Sequence, residues 1–539
     1  MSCPEESLSA SRTRPRRAPR SWCAGRGAGL FLLLVATGLA LGMSGCSAKK
    51  ITRTLLPADS YATLDQASPF LKVHFRDGRA CVLSAWSVDE PSRLVHGQGR
   101  MLDLNRQPLA QGEMTIPLDS VALFETNLVR PSASITGLAV ITGLSLAVTA
   151  YCISNPKACF GSCPTFYVSD GARPVLQAEG FSASIAPALE ATDVDALWRA
   201  HPGGPTLTVE MANEALETHV VRSVRILAAP RPAGARVVRT PDGTYRVATS
   251  PRALRTARAA EGDCRDALLA LDGVERHSAP DSTDLAAREV IDLDFGTLPQ
   301  GELGIVLATR QTLLSTYLVY QALAYLGTGA GRWLASLSSA SPGEIAQVGG
   351  LARELGKIDV EVEESPGEWR TVGQAGETGP LATEVMCVPV PHPADGSGRY
   401  RLRVTRGLWR IDQVTLHRLG ASVEPRALLP SRVSTAGHPD PAARAALLDS
   451  MRTLVTGPGD RYVLEFPLPE RPEGYEYFLE SRGYYLEWMR EAWIAEENPV
   501  AALGLVLDPR GSLRRLAPEY ARAEPSAEQA FWNSRYAKP

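Results

Sequence analysis

Residues 400–416 read Tyr400-Arg-Leu-Arg-Val-Thr-Arg-Gly-Leu-Trp-Arg-Ile-Asp-Gln-Val-Thr-Leu416, and this stretch decides the fold class of the C-terminal half. Tyr400–Val404 and Leu408–Leu416 read as two strands parted by a short turn. Working outward, Ile358–Val362, Trp369–Val372 and Glu384–Val390 precede them, and Asp395-Gly-Ser-Gly398 supplies another turn. Five or six strands with turn signals about every 8–12 residues predict a β-sandwich or jelly-roll-like module over 357–428, within a segment bounded at 341–430.

Towards the N-terminus, Phe70–Phe75, Ala80–Leu83, Met114–Leu118 and Val121–Phe124 are short alternating runs, and Asp77-Gly78 is a two-residue turn signal. They predict a small hairpin-based β unit over 61–130, reached through a tether at 46–60. Residues 155–310 form a β-rich domain with strands at Thr206–Met211, Val220–Leu227, Val290–Phe295 and Leu303–Ala308. In 311–340 a helix from Gln311 to Leu326 carries Leu314, Tyr317, Leu318, Ala322 and Tyr325 as an apolar stripe. Residues 431–539 read as mainly helical: Pro441–Leu454, a strand at Tyr462–Phe466, a strong helix over Phe478–Ile494, and shorter helices after Pro499 and Pro509. Between Arg130 and Lys157 no residue is charged, and 131–154 reads as a long apolar helix, buried or transmembrane. The expected fold class is α+β, with several β-rich modules, that apolar helix and a helical C-terminal region.

The N-terminus carries an address. Arg12, Arg14, Arg16, Arg17, Arg20 and Arg26 precede an apolar run from Leu30 to Leu41, then Met43-Ser-Gly-Cys46. Charged, apolar and small-residue regions in that order make a signal peptide over 1–45. The small-small-Cys ending resembles the lipobox of bacterial lipoproteins, although Met43 stands where leucine is usual. The resemblance implies diacylation of Cys46 and a lipid anchor in the cell envelope. With Ser47 after the cysteine instead of aspartate, it points to the outer membrane. Each buried methylene contributes about 0.8 kcal/mol, so two or more chains hold stably.

Apolar content of 44% with 21% charged residues is globular composition, and the formal charge is −3. With no basic stripe, nucleic acid is excluded as an expected partner. Cys159 and Cys163 stand close enough to pair across a turn, and Cys81, Cys152, Cys264 and Cys387 remain. The histidines show no metal-ligand spacing, and no metal or cofactor is expected. No Gly-x-Ser-x-Gly elbow occurs, and Gly327-Thr-Gly-Ala-Gly331 follows a helix, unlike a phosphate loop. The carboxylate pairs Asp193/Asp195 and Asp292/Asp294 read as solvated positions before they read as calcium or acid–base sites. Tyr475, Tyr477, Phe478, Tyr484, Tyr485, Trp488 and Trp493 form an aromatic cluster, read as core that docks the C-terminal helices. No catalytic residue is assigned.

Cys163-Pro-Thr-Phe-Tyr-Val-Ser-Asp-Gly171, Glu179-Gly-Phe181 and Leu189–Asp193 together resemble a recurring block of secreted bacterial envelope lipoproteins that carries no known activity. Arg310–Leu314, Thr405–Asp412 and Phe478–Trp488 extend the likeness. Tyr400–Val404 with Trp409–Asp412 also resembles jelly-roll binding modules. The expected function is binding or scaffolding of envelope proteins or glycans. An envelope hydrolase or a subunit of a membrane complex is the alternative.

Overall fold

The computed structural model describes residues 49–75, 79–102, 108–131, 164–181, 184, 190–215, 217–327, 350–376, 378–487 and 497–533. The signal segment, Cys46, the apolar stretch from Ile135 to Ile153, and Cys152, Cys159 and Cys163 lie outside these residues.

Within the quoted stretch, Tyr400, Leu402 and Val404 are buried while Arg401 and Arg403 are not, as a pleated strand with one wet face requires. The strand Arg399–Thr405 pairs antiparallel with Arg288–Asp294 and with Ile358–Ser365. Its arginines reach across the strands, Arg401 to Asp292 at 3.1 Å and Arg403 to Glu361 at 2.9 Å. This first sheet is ordered Gly262–Asp263, Thr256–Ala259, Arg288–Asp294, Arg399–Thr405, Ile358–Ser365, Glu368–Ala375. Gly407 then turns the chain at φ +72°, where a Cβ would stand 2.5 Å from Pro280, so only glycine fits. The chain re-enters as Trp409–Ser422, the middle of a second sheet ordered Arg236–Arg239, Tyr245–Ala253, Trp409–Ser422, Leu303–Gln311, Glu384–Val390.

Strand Leu303–Gln311 is buried at almost every position, which one-sided packing cannot produce. Ile305 and Leu307 belong to the core shared with the first sheet. Val306 and Ala308 belong to another, with Leu227, Ala229 and Phe478. Those three residues come from a third sheet, ordered Arg426–Leu428, Glu217–Pro230, Tyr475–Glu487, Ala191–Ala196. Its other face carries Val224, Ile226, Leu479 and Tyr485 towards Val209, Leu464 and Phe466 of a fourth sheet. That sheet runs His438–Pro439, Arg432–Thr435, Arg461–Pro467, Thr206–Ala212, Thr165–Ser169, Pro174–Glu179. The sheets therefore stack in four layers, and the central strands of the two inner ones are covered on both faces. The small side chains Ala196, Ala229, Ala248 and Ala308 line the middle interface, where two sheets must approach closely. The third and fourth sheets are built from residues 165–230 and 426–487, and the first and second from 236–422. The chain leaves one sandwich, completes the other, and returns.

Residues 49–131 form a separate antiparallel sheet, ordered Lys49–Pro57, Val121–Pro131, Leu71–Phe75, Ala80–Asp89, Leu94–Leu102, Pro108–Pro117. It has its own core of Leu71, Val73, Leu83, Val95, Ile116 and Phe124.

Helices are few. Leu314–Leu326 buries Leu314, Leu318, Ala322 and Leu323, and Tyr317 meets Tyr520 at 5.0 Å between ring centroids. Tyr520 lies on Pro509–Asn533, which follows Pro499–Leu507. Asn498 caps the latter through the Ala501 N–H at 3.0 Å, meeting one of the orphan donors at a helix start.

Several expectations are corrected. The fold is predominantly β among the described residues, not α+β, and no long apolar helix is found there; none is long and apolar enough to cross a membrane. The module at 357–428 is not self-contained, because its sheets take strands from 236–311. The C-terminal region from 431 is not mainly helical: it supplies Arg432–Thr435, Leu454–Thr456, Arg461–Pro467 and Tyr475–Glu487. Of the expected helix Phe478–Ile494, residues 478–487 are strand because they lie in a layer covered on both faces, and 488–494 lie outside the described residues. Apolar residues then occupy consecutive positions, and i, i+4 spacing arises without a helix. The expected tether holds a strand, Lys49–Pro57, and a 3-10 turn, Ala58–Thr63.

Candidate functional site

Residues singled out in the sequence do not converge. Cys46, Cys159 and Cys163 lie outside the described residues. Cys81, Cys264 and Cys387 are buried free thiols, pushed by burial up to about 11, 11 and 12, the reverse of what a nucleophile or metal ligand needs. Asp292 holds Arg401, Asp294 holds Arg255, and Asp193 accepts the backbone N–H of Val194 at 2.8 Å. These are structural tasks. No group of three or more potential metal ligands is found among the described residues. Tyr477, Phe478, Tyr484 and Tyr485 are core, on a strand and not a helix; Trp488 and Trp493 lie outside the described residues.

An open groove of about 820 Å³ lies between loops joining the third and fourth sheets. Strand Ala191–Ala196 ends where the Leu197 N–H bonds the Tyr477 carbonyl at 2.9 Å. His201-Pro-Gly-Gly-Pro205 then follows, in which the prolines remove donors and the glycines weaken strand order. Facing it, Leu468–Gly474 connects Arg461–Pro467 to Tyr475–Glu487. The two walls are tied where the Leu468 N–H bonds the Pro205 carbonyl at 2.8 Å, and Arg231 donates to the Glu473 carbonyl at 2.8 Å.

Trp198 and Tyr475, both partly exposed, present aromatic surface to this groove. The Arg236 guanidinium lies 4.1 Å from the Trp198 ring centroid, a cation–π contact that fixes the indole. Arg236 also grips Glu476 bidentately, at 2.8 Å on each oxygen. Burial pushes the Glu476 carboxyl up from its ordinary value, and Arg236 pulls it partly back. With both oxygens held by a guanidinium, Glu476 positions the wall and is not free to shuttle protons. The Trp198 indole N–H, closed off from solvent, finds no acceptor among the described residues. Glu470, Glu473 and His201 stand exposed at the rim. The groove thus offers aromatic faces and charges of both signs, an arrangement suited to binding.

A second polar cluster is half-buried where the Pro509–Asn533 helix meets the second sheet. Arg310 donates to Glu275 at 2.5 and 2.7 Å and to Glu528 at 2.7 Å. Arg410 reaches Glu528 at 3.0 Å, and His277 lies 3.1 Å from Glu524. Burial pushes Glu524 up and His277 down to about 4. The carboxylates Glu275 and Glu528 are spoken for by arginines, so the cluster reads as a helix-docking network.

The groove was not legible in sequence, because its walls come from residues 198–205, 231–236 and 468–477. The proline and glycine content of two loops, and Tyr475 at the start of the aromatic cluster, were the traces it left.

No protein-family model matches this chain, and no curated protein matches it. Among solved structures, two crystal structures of BuGH86, wild type and a variant form, each in complex with neoagarooctaose, align at 9% identity and a TM-score of 0.15. The alignment covers 43% of this chain and 34% of that one. A similarity of that size transfers neither fold nor ligand.

Proposed function

We propose that this protein is an envelope lipoprotein, anchored at Cys46 to the outer membrane, that binds an extended envelope glycan in the Trp198–Tyr475 groove. The observation that carries the binding part is the groove itself: an open trench with aromatic surface at its wall and polar groups at its rim. Sugar rings stack their apolar faces on aromatic side chains while rim groups meet hydroxyls, and an open trench admits a polymer that a closed pocket would exclude. Binding is favoured over hydrolysis because the buried carboxylate of the groove, Glu476, is locked by Arg236 and Glu470 and Glu473 stand exposed at the rim, so none of the three is both buried and free as the general acid of glycoside cleavage is. The address rests on the signal segment and the Met43-Ser-Gly-Cys46 ending.

Two measurements test the reading. Mass spectrometry of the N-terminal peptide is expected to show an acylated Cys46, and Cys46→Ala is expected to release the protein from membranes. Pull-down on purified envelope glycan is expected to retain the wild type, and Tyr475→Ala to weaken retention at least about fivefold, since one stacked aromatic contributes about 1 kcal/mol or more. An unmodified thiol would refute the anchor; retention unchanged by Tyr475→Ala, or none at all, would refute the groove.

A further inference from the structure

The second sheet curls until its two edge strands, Arg236–Arg239 and Glu384–Val390, touch. No backbone pairing joins them among the described residues. A cavity of about 120 Å³ occupies this unclosed seam. Phe478 from the third sheet, with Val385 and Met386, forms an apolar wall, and Arg239, Lys357 and Glu384 stand at the polar side.

We propose that this seam binds a small carboxylate with an apolar body, of amino-acid size. Neither Arg239 nor Lys357 has a carboxylate within ion-pairing distance among the described residues. Other arginines of the first and second sheets do: Arg236 pairs with Glu476, Arg246 with Glu302, Arg276 with Glu289, Arg401 with Asp292 and Arg403 with Glu361. Two cations against the single carboxylate of Glu384 leave a net positive charge beside a low-dielectric recess among the described residues, which favours an anion there, and the guanidinium fork matches a carboxylate in geometry. The apolar wall needs a hydrocarbon or ring to cover it, which inorganic phosphate cannot supply. Glu384, only 5% exposed, lines the same cavity. Each water fills about 10–15 Å³ on this measure, so the space suits a body of roughly ten heavy atoms. The three charged groups come from a hairpin end, a loop and an edge strand far apart in sequence, which is why no motif announces the site. The proposal does not depend on the groove or on the lipid anchor.

The test titrates the full chain with leucine, hexanoate, hexylamine and inorganic phosphate by calorimetry and saturation-transfer NMR. Leucine and hexanoate are expected to bind, and hexylamine and phosphate are not. Leucine tighter than hexanoate assigns an amino acid as the source, and equal affinity assigns a plain carboxylate. Arg239→Gln and Lys357→Gln, on half-buried positions outside the core, are each expected to lower affinity about tenfold with an unchanged melting temperature. Absence of binding by both carboxylates, hexylamine or phosphate binding as well as hexanoate, or affinity unchanged in the Arg239→Gln/Lys357→Gln double variant would each overturn the proposal.

Discussion

His277 and His417 are held neutral inside the fold. Burial is the first cause for each, and the positive charge of Arg410 and Arg276, or of Arg236, adds to it, bringing both down to about 4. The unfolded chain binds protons at an ordinary histidine below about pH 6.5. Stability contributed by these residues is therefore complete above that pH and is lost as pH falls towards 4. The loss amounts to up to about 3 kcal/mol for each residue. Glu524, raised by burial, acts in the opposite sense and offsets part of it. Urea melts between pH 7.5 and 4.5 are expected to show a falling midpoint in the wild type and a shallower fall in His277→Gln/His417→Gln. Equal slopes would remove the histidines from the account.

At the scale of elements, the Pro509–Asn533 helix is docked by apolar and ionic contacts together. Leu513, Leu516, Ala517 and Tyr520 are buried, and Glu528 is held by Arg310 and Arg410. Arg310→Met is expected to cost about 3–5 kcal/mol, because Glu275 is left buried with its bidentate partner gone. Hydrogen exchange should then speed up first in residues 509–533. An Arg310→Met protein as stable as wild type would reduce the network to ornament. The strand Tyr475–Glu487 carries a different burden, with Phe478 facing the second sheet and Leu479 the fourth. Its neighbour on the groove, Tyr475, takes its place from the short turn Pro472–Gly474.

For the four-layer stack, cooperativity follows from the shared third sheet. Removing either sandwich would strip one apolar face from a layer covered on both sides, so neither half can unfold with the other intact. Calorimetry of residues 164–533 is expected to give one transition, with Phe478→Ala lowering its midpoint by the equivalent of about 3–5 kcal/mol. Two resolved transitions would show that the layers part independently.

The sequence by itself determined the strands with one wet face. Tyr400, Leu402 and Val404 alternate with arginines, and one covered face writes that period directly into the chain. It also determined the helix starts at Pro441, Pro499 and Pro509 and the mildly acidic character. Only the tertiary structure decided the rest. Leu303–Gln311 and Tyr475–Glu487 lie in layers buried on both faces, which erases alternation and lets aromatic spacing pass for a helix. Both recesses are assembled by residues from distant segments, and proximity created by folding leaves no spacing to read.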